Sequence, residues 1–319
     1  SIQTSNQATG VQEIADRPKG DSNTPPTGTL TGYAAGFDFF FPTQNHTNFQ
    51  PSTMHPITGT ATLALDTANG RVQASLDTYA YDTSNPFTQL AGSLRSLFQF
   101  GTTGSSGAID SGNVDYDNFY ANTPDNYTVN GKRVTGVLVS ANGAVVNRLV
   151  ASALPNLTPC QCDYTRWGFW LVDSTDPNTD FKVYTGTWVA GRPVGSPSDV
   201  PTTGTATYTG HVVADVSSAG FVAGGFSNSV NFGARTGAVS VTGLDNTSYT
   251  GNVNFNTDPR NFGGTINSTT FANDGRQMAL QGSFFQGKTS PVGEMGGSVA
   301  ISSTKDNYLG SGIFAASKR

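Results

Sequence analysis

Apolar and polar residues alternate with period two along most of this chain, most cleanly in its last third. In Ala206, Tyr208, Gly210, Val212, Ala214 and Val216 every second position is small or apolar. Tyr249, Gly251, Val253 and Phe255 repeat the pattern, as do Met278, Leu280, Gly282 and Phe284. Successive side chains of a strand point to opposite faces, so this period predicts strands with one buried face. Eight are expected, near 205–216, 220–227, 229–241, 247–256, 261–268, 276–285, 295–302 and 307–315. Eight antiparallel strands with short links can close into a barrel, which removes exposed edges.

Upstream, strands begin at Gly28 and run through Phe37, Asp38, Phe39, Phe40 and Phe41. The Asn-Gly pairs at Asn69-Gly70 and Asn142-Gly143 sit between alternating runs and predict hairpin turns. One stretch breaks the period. Over 85–98, Phe87, Leu90, Leu94, Leu97 and Phe98 recur at three- and four-residue steps behind Pro86, which predicts a helix. Residues 1–27 have no period and read as a flexible tail or an extended arm. Residues 193–203, with three prolines and two serines, read as a linker. The expectation is an all-β protein: a tail (1–27), a β-rich N-terminal domain (28–192), a linker (193–203) and an eight-stranded antiparallel β-barrel (204–319).

Composition narrows the function classes. Charged residues make up 12% of the chain and glycine numbers 38, so solubility rests on hydroxyls and amides, as in secreted β-proteins. The net charge of -5 comes with no basic stripe, which argues against a nucleic-acid partner. No apolar run reaches the roughly 20 residues of a membrane helix. Ser1 is not an initiator methionine, and the chain reads as a processed product or a piece of something longer.

Candidate chemistry is sparse. Cys160 and Cys162 stand at i and i+2, about 6.5–7 Å apart in an extended strand, the upper edge of disulfide reach. A local bridge with a kinked backbone and redox-inert packing both remain open. Three histidines, His46, His55 and His211, are the available bases, and none sits in a nucleophile-elbow context. His211, opposite in phase to Val212, is expected to face solvent. His46 and His55, nine residues apart, impose no metal geometry. Asp173, Asp176 and Asp180 offer oxygen ligands for calcium, but Asp and Asn also fill turns. Asp110, Asp115 and Asp117 form a second acidic group. A glycosidase pair drawn from these acids has no fixed separation. The aromatic groups Phe37, Phe39, Phe40 and Phe41, and Trp167, Phe169 and Trp170, are candidates for core packing or for a partner surface.

The chain ends in Gly282-Ser283-Phe284-Phe285, Gly293-Glu294-Met295-Gly296-Gly297 and Gly312-Ile313-Phe314-Ala315-Ala316-Ser317-Lys318-Arg319. Over about the last 115 residues of its length, it resembles the barrel of the transferrin-binding-protein-B-like family, which includes surface lipoproteins of Gram-negative bacteria. That barrel ends in a Gly-x-Phe strand, a loop to a Glu and a Gly-Gly pair, then a last strand closing in Lys-Arg. Two departures stand out. Gln286 to Pro291 replaces the usual Tyr-Gly-Pro-containing connection, and Ala315-Ala316-Ser317 is one residue longer than the common ending. The resemblance implies a handle domain before the barrel and an outer-membrane-associated, cell-surface location. It also implies capture of iron-carrier proteins, haem or host proteins.

The expected function is therefore that of a non-enzymatic cell-surface binding protein without a cofactor, taking a protein partner or a small ligand. A structural subunit (adhesin, surface layer or filament) that self-assembles through its N-terminal arm is the first alternative. A carbohydrate-active enzyme is the second.

Overall fold

A computed structural model describes residues 28–42, 51, 53–66, 71–101, 119–141, 159–174 and 181–319. The tail, the turns predicted at Asn69-Gly70 and Asn142-Gly143, His46, Asp110, Asp115, Asp117, Asp176 and Asp180 lie outside the described residues.

The N-terminal half is a ten-stranded antiparallel sheet. Its strands are β1 (Gly28–Phe41), β2 (Thr53–Asp66), β3 (Arg71–Asp82), β4 (Asn85–Gln89), β5 (Ser96–Phe100), β6 (Tyr120–Asn122), β7 (Thr128–Val129), β8 (Lys132–Ser140), β9 (Arg166–Ser174) and β10 (Phe181–Gly191). They run in the order β4-β3-β2-β1-β10-β9-β8-β6, with β5 joining β3 and β7 joining β8. The two sides of the sheet meet: the Gly101 N–H donates to the Asn122 carbonyl (2.8 Å), and the Tyr127 hydroxyl to the Leu97 carbonyl (2.8 Å). Inside the curl, Leu30, Leu63, Leu76, Phe98, Trp170 and Trp188 pack as one buried core. Both indoles are satisfied there, Trp188 on the Val139 carbonyl and Trp170 on those of Ala35 and Thr187.

The helix predicted over 85–98 is instead β4, a turn and β5. Phe87 and Gly92 hold left-handed backbone angles (φ 69° and 78°) that no helix accepts. The three- and four-residue spacing is a coincidence of a strand-turn-strand: Phe98 is fully buried while Leu94 and Leu97 face outward, 71% and 46% exposed.

The C-terminal half is a closed barrel of β11 (Thr205–Val216), β12 (Gly220–Asn231), β13 (Thr236–Leu244), β14 (Thr247–Asn254), β15 (Asn261–Ser268), β16 (Arg276–Phe285), β17 (Glu294–Ser303) and β18 (Leu309–Lys318). Pairing of β11 with β18, from Tyr208 opposite Lys318 to Val216 opposite Gly310, shuts it. The predicted count of eight holds, but one boundary moves. The break placed at Asn228 lies at 232–235, because Asn228 points into the barrel, 1% exposed, with its amide against the Met295 sulfur. The interior is filled by apolar residues, including the ring cluster Phe226, Phe262, Phe284 and Phe314. Away from the N-terminal half, outward positions such as Thr207, Ser229, Asn252, Thr265 and Asn267 are polar and exposed. That is the reverse of a lipid-embedded barrel. Among the described residues no helix is long and apolar enough to cross a membrane. Within residues 193–203, Val194 and Val200 join the barrel core, and Ser196 caps a 3-10 turn, Pro197–Asp199.

The Gly296-Gly297 pair has a packing reason. A Cβ at Gly297, on the inward face, would lie 2.0 Å from the Gln281 carbonyl oxygen and 2.5 Å from the Phe314 ring. Gly297→Ala is expected to cost about 1–3 kcal/mol of stability through this overpacking. Guanidinium denaturation should show the lowered midpoint, and an unchanged midpoint would refute the packing account.

Candidate functional site

Two places gather the side chains that sequence reasoning singled out. The first is the seam between the halves. Strands β1 and β10 lie across the outer wall of the barrel at β17, β18 and β11. That is why β17 and β18 are buried on both faces along most of their length. Trp167, Val189, Val213, Ala223, Ile313 and Ala315 fill this seam, with Phe169 packed edge-on against Phe221 of the barrel (5.1 Å). Gly296 faces the seam: a Cβ there would meet the Val189 methyl at 2.9 Å.

The stretch before β9 crosses this seam. Cys160 and Cys162 are joined by a disulfide with Cα atoms 5.4 Å apart, short for an extended i, i+2 pair, so the chain is kinked there. The next three residues wrap the carboxylate of Glu294, which is 1% exposed. The Asp163 N–H donates to Oε2. The Tyr164 N–H (3.2 Å), the Thr165 N–H (2.8 Å) and the Thr165 hydroxyl (2.7 Å) donate to Oε1. Burial pushes the Glu294 carboxyl above its ordinary value, against the downward pull of the Thr165 and Asp163 donors. Around this clasp Arg192 stacks on the Tyr164 ring at 3.9 Å, and the Asp163 carboxylate accepts the Lys288 N–H (2.9 Å).

His211, expected at the surface, is fully buried, because the outer face of β11 is covered by the N-terminal half. Its Nδ1 accepts the Cys160 N–H at 3.0 Å, which puts the proton on Nε2, and Nε2 has no partner among the described residues. Trp167 lies 4.6 Å away, centroid to centroid. Burial lowers the His211 pKa to about 4.

The second place is a pocket of about 560 Å³ on the inner face of the N-terminal sheet. Strand pairing sets its polar floor. His55 on β2 is opposite Asp38 on β1, and Asp38 is opposite Tyr184 on β10, so the three side chains form a row across adjacent strands. The Asp38 carboxylate, 7% exposed, meets His55 Nδ1 at 3.0 Å and Lys182 Nζ at 4.0 Å. Burial pushes the Tyr184 hydroxyl up to about 12, Asp38 adding to the rise and a Ser96 hydrogen bond opposing it. Phe40, Phe98, Leu90 and Leu94 give the pocket apolar walls, and Lys132 adds a second ammonium.

The remaining candidates are dispersed. Phe37 is buried beside Phe39 (6.2 Å), on the face of β1 opposite Asp38. Phe41 stacks on Phe181 at 4.7 Å, both half-buried. Phe40 lines the pocket. Trp167 and Phe169 belong to the seam, while Trp170 belongs to the sheet core. Asp173 lies on β9, its carboxyl raised by burial. Among the described residues no three His, Cys, Asp or Glu side chains are placed to hold a metal ion. Sequence reasoning missed Asp38 and Lys182. Their signal was a charge on an otherwise apolar strand face, visible only once strand pairing is known.

No family model matches the sequence, and no curated protein matches it. Solved structures do. A mutant transferrin-binding protein B from Haemophilus parasuis is similar over 92% of this chain and 77% of its own, at 12% identity and a TM-score of 0.37. An intact transferrin-binding protein B, with both lobes, is similar over 92% and 79%, at 12% identity and 0.36. A surface lipoprotein is similar over 57% and 90%, at 14% identity and 0.31. The likeness is one of fold, and it does not extend to family membership or to a ligand.

Proposed function

We propose that this protein is a non-enzymatic binding protein of the cell surface, and that its N-terminal domain holds the ligand. The pocket carries this reading. Its volume lies within the range of small-ligand sites, and its mix of apolar walls and a few converging polar groups is their usual composition. Asp38 is the one carboxylate on its wall among the described residues, whereas glycoside hydrolysis calls on two. The Cys160–Cys162 disulfide favours an oxidising, extracytoplasmic compartment. Haem, an iron-carrier protein and host serum proteins are the first ligands to try.

Calorimetric titration of the full chain with that panel tests the reading, alongside the variant Ala91→Trp. Ala91 is exposed and lines the pocket, so an indole there narrows the mouth without touching the core. Binding that Ala91→Trp weakens by about ten-fold or more, on the order of 1.4 kcal/mol, is the expected result. Binding indifferent to the variant would move the site elsewhere, and chemical conversion of a bound ligand would overturn the non-enzymatic reading.

A further inference from the structure

We infer that the N-terminal pocket selects a monoanionic amphiphile, an apolar body ending in a single carboxylate. This rests on the reading of that pocket as the ligand site. The charge count comes first. Lys132 and Lys182 stand against the single carboxylate of Asp38 among the described lining residues, two ammonium groups to one carboxylate. Asp38 is the buried member of its cluster and already holds His55 at hydrogen-bond distance. Lys182 is 42% exposed, and its 4.0 Å separation from Asp38 exceeds hydrogen-bond reach. Its ammonium therefore has donors to give to an incoming anion, while Asp38 offsets part of the cost of holding that ammonium at the site. An incoming cation would meet two ammonium groups for one partly used carboxylate.

The second observation concerns the mouth. Leu94, Leu97 and Leu171 are the large apolar side chains most exposed among the described residues, and Leu94 lines this pocket beside half-buried Leu90. Phe98 and Phe40 continue the apolar wall from there. A hydrocarbon body over Leu94, Leu90 and Phe40 removes apolar surface from water while its carboxylate turns toward the ammonium groups of Lys182 and Lys132.

Dodecanoate, dodecanol and dodecylamine share one chain and differ in head-group charge. Calorimetry of the full chain with each, below micelle formation, separates the contributions. Dodecanoate is expected to bind at least about ten-fold more tightly than dodecylamine, and Lys132→Gln with Lys182→Gln to erase that preference while dodecanol binding stays as it was. Ala91→Trp should weaken dodecanoate binding. Dodecylamine binding as tightly as dodecanoate or tighter, with Ala91→Trp still blocking it, would overturn the charge assignment and leave the pocket standing. Failure of all three to bind would overturn the inference and remove support from the pocket itself.

Discussion

Replacing Glu294 by alanine is expected to open the seam between the two halves before either half unfolds, at a cost on the order of 3–5 kcal/mol. The carboxylate is the shared acceptor for three consecutive backbone N–H groups and one hydroxyl, all from 163–165. Alanine removes every acceptor at once and leaves those donors facing apolar surroundings, where each unpaired group costs about 1–3 kcal/mol. Water entering the vacated space would compensate part of that sum, so the total falls well below four full penalties. Glu294→Gln keeps the shape and one carbonyl acceptor but turns an amide N–H₂ toward a donor, and should fall between wild type and alanine.

The readout follows from where the tryptophans sit. Trp167 is in the seam, while Trp170 and Trp188 are in the sheet core. In guanidinium, tryptophan emission of Glu294→Ala should shift before far-UV circular dichroism is lost, whereas the wild type should show the two transitions closer together. Coincident transitions at the wild-type midpoint would refute the clasp.

The clasp also shows how far the sequence could be read. The eight barrel strands were legible because a two-residue period with one apolar face has few other meanings. The ending Glu294-Met295-Gly296-Gly297 was legible as a fold signature, but its division of labour was not. Met295 and Gly297 point into the barrel, whereas Glu294 and Gly296 point out, against the loop at 163–165 and Val189. Alternation announces that neighbours face opposite ways; it does not announce that the outer side is covered. The same gap explains His211. Its phase places it outside the barrel, but the outside is not solvent there, because β1 and β10 cover that wall. The pocket was illegible for a related reason: His55, Asp38 and Tyr184 are distant in sequence and become neighbours only through the registers of β2, β1 and β10. The helix misread over 85–98 had a local cause, since Phe87 and Gly92 turn the chain in left-handed conformations that apolar spacing does not encode.

His211→Asn should make the protein less sensitive to acid. In the folded chain His211 stays neutral down to about 4, because protonation would place an unpartnered charge in the seam. In the unfolded chain it takes up a proton near its ordinary value of 6.5. Between these two values the unfolded state binds the extra proton, so stability is lost as pH falls from 6.5 toward 4, by roughly 3 kcal/mol in total. Asp215 has the opposite sense. Burial raises it to about 6, so the folded state binds its proton first and gains stability as pH falls from about 6 toward 3.8. Glu294, also raised by burial, acts in the same direction as Asp215. The wild-type profile therefore shows only the remainder of opposing contributions. Comparison of two chains that share Asp215 and Glu294 isolates the histidine, and Asp215, four residues along the strand and about 13 Å away, is too distant to couple strongly with it. Asparagine retains an oxygen that can accept the Cys160 N–H but takes up no proton. Its smaller volume should lower stability somewhat at neutral pH, so the quantity to follow is the difference between variant and wild type. That difference should move in favour of His211→Asn by about 2 kcal/mol between pH 7 and pH 4.5, measured by urea denaturation at each pH. A difference that stays constant across the window would mean that the folded protein accommodates the imidazolium, and that the seam opens to water at this point.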